Sequence, residues 1–345
     1  VEEVKKRVII PYTTKHFWWM GKGKEEMCNW TIWCTQNVLL SAFLLPFSEN
    51  TKHKVFKKAC SSTDFFLKDY GEDGCCDEGA QYYRHAGLCL YQTLDILNHI
   101  TDGYFNSLWD DEKIKNMALY ILNVHVDDKY YINFADCSPV AGRAGIREYL
   151  FGKACGLDNL AKFAALDYKR NPEKFQPDEN NLYYRLQEVF TRKAILSEAT
   201  DAPILHPHVF YSSVGLWIAR NDTYTAAAKC GDNNDSHNHN DTGSVTLFKN
   251  GCPFLADIGV ESYTKKTFSA QRYEIWTMQS DYHNLPTING IMQMNGAEYQ
   301  ATDISHCFTE DGGKISMNIA KAYPSDAHIE KYTRNVILSD SGLEI

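Results

Sequence analysis

The segment His237-Asn238-His239-Asn240-Asp241-Thr242-Gly243 sets two imidazoles one residue apart and a carboxylate close behind them. Asp257-Ile258-Gly259 follows eighteen residues after His239, and His283-Asn284 comes later, near Pro286 and Gly290. Imidazole nitrogen and carboxylate oxygen are ligands that a divalent zinc ion takes. A lone His-x-His reads as a polar loop between strands, but three such elements around Gly-rich turns imply a metal site. On an ideal strand residues 237 and 239 point to one face, which would make both of them ligands. Asn233, Asn234, Asp235 and Gly243 instead predict an irregular loop in which the two rings diverge.

The elements that must position these groups change character along the chain. Up to about residue 200, apolar residues recur at three- and four-residue intervals and predict helices over 37–47, 80–100, 111–126, 146–166 and 181–196. Gly71, Gly74, Gly103 and the segment 139–145 break them. Beyond Asp201-Ala202-Pro203, short β-branched or aromatic runs at 208–214, 216–219, 224–228, 244–248 and 317–320 predict strands, and 335–338 is strand-like. Helices first and strands second, without alternation, imply an α+β organisation rather than a doubly wound sheet. The expected division is a helical domain over 1–203 and a β domain over 204–345. No repeat of fixed period is visible.

A chain of 345 residues with 44% hydrophobic and 13% aromatic content is globular, with room for two domains. Its net charge of −9 argues against nucleic acid as a partner. An anionic polymer would need a local basic lining, for which Lys22, Lys24, Lys52, Lys54, Lys57, Lys58, Arg143 and Arg147 are candidates. Eleven cysteines, an odd number without Cys-x-x-Cys, fit small buried side chains in a reducing compartment, so a cytoplasmic location is favoured. The chain starts at Val1 and stops soon after a strand-like run, so both ends look trimmed and a secreted or periplasmic origin stays open. No apolar run reaches membrane-spanning length, and no membrane partner is expected.

The segments His237 to Gly243, Asn250-Gly251-x-Pro253-x-x-x-Asp257-x-Gly259, Arg272-Tyr273-Glu274-Ile275-Trp276-Thr277-Met278-Gln279-Ser280 and Tyr282-His283-Asn284-Leu285-Pro286 together resemble the heparinase II/III family of polysaccharide lyases. The likeness continues into Asn289-Gly290 and Gln293, and more loosely back to Cys28-Asn29-Trp30-Thr31-Ile32-Trp33 and Asp73-Gly74-Cys75-Cys76-Asp77-Glu78-Gly79. The resemblance implies an (α/α) toroid, here too short to be complete, followed by an antiparallel β-sandwich. It implies β-elimination at a 4-linked uronic acid in an anionic polysaccharide or oligosaccharide, with one structural zinc.

Carried over, His237 corresponds to the catalytic histidine, and His239, Asp257 and His283 to the zinc ligands. Tyr82 and Tyr83 lie where the family carries its catalytic tyrosine, with Tyr83 preferred. Asn29 takes the place of a carboxylate-neutralising Asn, although Trp30 follows it where some members have His. Glu78, Trp30, Arg143, Arg272 and Tyr273 are the expected substrate contacts. Two other classes compete: a non-catalytic glycan-binding protein of the same fold, and a hydrolase using zinc to activate water.

Overall fold

The computed structural model describes residues 1–171 and 180–345. Its first half is mostly helical, and several boundaries have a local cause. Ser48 accepts a hydrogen bond from the Thr51 amide and opens the Glu49–Asp69 helix. Asp111 does the same for Glu112–Val124 through the Ile114 amide. These are N-cap side chains satisfying amides that have no partner inside the helix. The 146–166 helix is in fact two, Ile146–Ala154 and Asp158–Arg170, because Gly156 turns the chain at φ +68°. Asn29–Leu44 begins eight residues earlier than the periodicity predicts. The expected 80–100 helix is a single 3-10 turn, Tyr82–Arg84, followed by a separate helix, Gly87–Ile100.

The second half is built from antiparallel strands. Val209–Tyr211, Leu216–Arg220, Tyr224–Lys229, Val245–Lys249 and Cys252–Leu255 form one sheet in that order. Thr302–Thr309, Gly312–Asn318, Thr333–Ser339 and Gly342–Glu344 form another. The five-stranded sheet is covered on both faces, as the burial of every residue in Leu216–Arg220 requires. Side chains alternate along a strand. Leu216 and Ile218 therefore enter the core formed with the helices. Trp217 and Ala219 enter a second core with Ile315, Met317, Val336 and Leu338 of the four-stranded sheet.

One consequence is that the first core runs across residue 203 rather than stopping there, joining Tyr120 and Phe134 to Tyr211, Val214 and Phe248. Polar groups stitch the same junction. The buried Arg220 guanidinium donates to the carbonyls of Asn123 at 2.6 Å and His125 at 2.9 Å. Ser213 donates to Asp73 from both its amide and its hydroxyl. No helix among the described residues is long and apolar enough to cross a membrane.

Candidate functional site at the helix–sheet junction

The His237–Gly243 loop leaves regular structure at its first histidine. His237 adopts φ +56°, a left-handed conformation uncommon for a residue with a β-carbon and often found at functional sites. The two rings meet the same Asp136 carboxylate from different surroundings. The His237 side chain keeps 12% exposure, whereas that of His239 has none. His237 lies 4.5 Å, ring to ring, from Tyr82 of the helical region. His239 lies 5.3 Å from His283.

His239, Asp257 and His283 converge so that one ligand atom from each lies within 4.8 Å of the others, all three buried. His239 Nδ1 is buried with no hydrogen-bond partner. His283 Nδ1 sits 2.8 Å from Asp257 Oδ2, and its Nε2 faces the Thr277 carbonyl at 3.1 Å. Burial alone would lower the His283 pKa, but the Asp257 carboxylate raises it to about 9. Asp257 is held below its usual value, because His283 outweighs burial. Its Oδ1 also accepts from the Gly259 amide at 2.9 Å and from Asn133 at 3.2 Å. These three residues could hold a metal ion.

A residue the sequence reading missed ties the loop together. Asp136, 1% exposed, accepts from His237 Nδ1 at 2.8 Å, His239 Nε2 at 3.0 Å, Arg272 Nη2 at 2.7 Å and the Tyr263 hydroxyl at 3.1 Å. Burial would raise its pKa, yet the bonds from His237, His239 and Arg272 hold it far below the carboxylate range. An ionised carboxylate only accepts, so His237 carries a proton on Nδ1, and in the neutral ring Nε2 is the nitrogen left unprotonated. Tyr263, also missed, lies 2.5 Å from the Tyr82 hydroxyl. Asp136 stands in a loop with no fixed spacing to any histidine. Nothing in its sequence neighbourhood marks it.

Glu78 is 3% exposed and does not cap the helix that follows it. It sits at the start of Asn29–Leu44, accepting from the Asn29 amide at 3.2 Å and from the Asn29 side chain, where the helix N-terminus favours a negative charge. Its other neighbour is His237 Nε2 at 3.6 Å. Asn29 and Glu78 line a cavity of about 600 Å³ that Ser213, Asp235 and Ser236 close from the other side. Glu26, Asp69, Asp77 and Asp232 also face it, and none of the basic residues considered as a lining does. Burial and the neighbouring Glu78 raise the Asp77 pKa to about 7.

Other expected positions differ. Tyr83 is fully buried among the helices and donates to the Ala118 carbonyl at 3.2 Å. The preference between the two tyrosines therefore passes to Tyr82, since the short turn points Tyr83 into the core. Arg143 is not at the cavity; Asp128 and Asp167 engage it elsewhere. Arg272 is no free carboxylate clamp, because its guanidinium is spent on Asp136 and on the Asn238 and Thr267 carbonyls. Tyr273 accepts from the Asn238 side chain at 3.1 Å and supports the loop. Trp30 is 52% exposed, 6.1 Å from Trp18.

A helical region packed on antiparallel sheets is a fold shared with solved structures of heparinase III and heparan sulfate lyase. Heparan sulfate lyase HepC from Pedobacter heparinus matches with TM-score 0.61 at 12% identity over 97% of this chain and 46% of that one. Heparinase III matches with TM-score 0.54 at 16% identity over 90% of this chain and 45% of that one. At such identities the likeness is one of fold, and the chain spans less than half the length of either protein. No curated protein sequence matches. Residues 203–345 match the family model of the heparinase II/III-like C-terminal domain.

Proposed function

We propose that this chain belongs to a polysaccharide lyase that cleaves a 4-linked uronic-acid glycan by β-elimination, with one structural zinc. In this reading the helices belong to an (α/α) toroid and the two sheets form a β-sandwich, with the domains meeting near residue 203. The observation that carries the proposal is the state of His237. Asp136 holds its Nδ1–H, leaving Nε2 to act as a base 3.6 Å from Glu78 of the cavity wall, the arrangement that makes imidazole a proton acceptor.

His237 Nε2 takes the C5 proton, a C4–C5 double bond forms, and the C4–O4 bond breaks as the Tyr82 hydroxyl gives its proton to O4. Burial raises the Tyr82 pKa despite the bond with Tyr263, which suits a proton donor better than a base. Glu78, 3.6 Å from Nε2, stabilises the imidazolium that results. Asn29, on the cavity wall with its amide oriented by Glu78, is the group for the uronate carboxylate. The acidic lining favours a sparsely charged glycan over a densely sulfated one, since like charges at close range repel.

The buried cluster fits zinc. His239 offers an unpartnered Nδ1, and an ion would replace the proton that His283 and Asp257 share. The remaining ring nitrogens already have the outer partners that orient metal-bound imidazole, Asp136 and the Thr277 carbonyl. The ligand side chains are 0–3% exposed, which supports a structural ion holding the loop rather than a hydrolytic one that must meet water and substrate. The test is formation of unsaturated-uronate absorbance by the full-length protein on heparan sulfate, chondroitin, hyaluronan, alginate and glucuronan. Product on at least one, abolished by His237→Ala, is expected. Silence on all five from folded, zinc-loaded protein would leave the glycan-binding alternative.

A further inference from the structure

Phe268 differs from the other side chains around His237 in being large, apolar and 69% exposed. Its ring meets two others, Tyr263 at 5.2 Å and His237 at 5.5 Å, both nearly at right angles. Tyr263 is itself exposed, and Tyr82 continues the group at 4.5 Å from His237. Single exposed hydrophobic residues are ordinary, whereas a contiguous cluster marks a surface that binds something. Resting on the lyase reading, we infer that Phe268 is a stacking platform for a pyranose ring of the glycan, at or next to the sugar that His237 deprotonates.

The turn that carries this ring is fixed. Thr267, immediately before it, is buried, and its carbonyl accepts from Arg272 Nη1 at 3.0 Å. The same guanidinium donates to Asp136 and to the Asn238 carbonyl, so one cation ties the Phe268 turn to the histidine loop. Thr267 Oγ1 accepts from the Thr264 amide at 2.9 Å, and the Ser269 amide and hydroxyl both donate to the Lys266 carbonyl at 3.0 Å. Backbone on both sides of Phe268 is therefore held while the side chain stays in solvent. A ring placed before its ligand arrives loses little freedom on binding. The chemistry fits a pyranose, whose C–H bonds form an apolar face inside a rim of hydroxyl groups. A phenyl ring offers that face dispersion contact and the negative side of its quadrupole. It offers no charge and no hydrogen-bond donor, so it favours an unsulfated sugar, in keeping with the acidic cavity wall.

The test compares the full-length wild type with Phe268→Ala, Phe268→Leu and Phe268→Trp on heparan sulfate, chondroitin, hyaluronan, alginate and glucuronan. KM is read on any glycan that is cleaved, and retardation in native gels containing the polymer on any that is not. Phe268→Ala and Phe268→Leu are expected to raise KM or the dissociation constant by about 3–10-fold, the range for one aromatic contact. The change in kcat should be smaller, as loss of ground-state binding requires. Phe268→Trp should keep wild-type affinity, and all melting temperatures should agree closely, because an exposed ring holds little of the fold. Wild-type affinity in Phe268→Ala or Phe268→Leu, or an equal loss in all three variants, overturns the platform and leaves the lyase reading standing. Retardation that depends on the ring, without unsaturated product, would sink the lyase reading alone. Folded wild type that neither cleaves nor is retarded by any of the five overturns both.

Discussion

His237 and His239 are separated by one residue and share Asp136, yet they occupy different physical worlds. His237 stands at a left-handed turn, partly open, against Tyr82 and Glu78 from the helical region. His239 is closed off among Asp257 and His283, with one nitrogen unpartnered. In the proposed reading the first ring serves proton transfer and the second a metal, and a single backbone conformation separates the two roles.

The sharpest way to break that contrast is to truncate each ring. His237→Ala should lower turnover by about 10²–10⁴-fold, the range for losing a positioned acid–base group, with at most a severalfold change in zinc binding and nearly the same melting temperature. His239→Ala should release zinc, and its activity should fall as a consequence, because the metal's binding free energy belongs to the folded state. Equal zinc loss in both variants, read by metal analysis, would make His237 a ligand and end the distinction.

A second variant probes the buried side alone. In metal-free protein, Asp257→Ala removes one partner of a buried ion pair and should destabilise by roughly 3–5 kcal/mol, measured by denaturant unfolding. A loss under about 1 kcal/mol would show that the His283–Asp257 pair carries little of the fold.

The pH dependence separates the metal-free and loaded forms more finely. His283 has a folded pKa of about 9 against an ordinary 6.5, so its stabilising pair is fully present below 6.5 and lost as pH rises through 9. Metal-free melting temperature should therefore fall across that window. Zinc must displace the His283 proton, so zinc affinity should rise by about tenfold per pH unit toward pH 9. Affinity independent of pH would mean that His283 is neutral before the metal arrives.

The smallest effect is expected at the tyrosines' inner member. Tyr83→Phe removes one buried hydrogen bond to Ala118 and should cost about 0.5–1.5 kcal/mol without changing turnover, whereas Tyr82→Phe should slow turnover at unchanged stability. The reverse pattern in paired melts and product assays would restore Tyr83 as the catalytic candidate.

Much of this was legible in the residues. The change from three- and four-residue periodicity to short alternating runs near 203 announces helices followed by strands, and the family motifs name the histidine loop. Local sequence did less well where a single torsion decides. Gly156 splits one predicted helix, and the 3-10 turn at Tyr82–Arg84 chooses which tyrosine faces outward. Arg272 looked free to clamp a carboxylate because its partner lies 136 residues away.

Sequence by itself determined the order of elements and the irregularity of the loop, since these follow from side-chain chemistry and periodicity. Tertiary structure decided which groups share a proton. Asp136 reaches His237 and His239 only because one core runs continuously from the helices onto the five-stranded sheet, bringing a loop of the helical half against the sheet. Hydrogen bonds between residues a hundred positions apart leave no spacing pattern in a chain, because their geometry is set by packing rather than by local backbone preference.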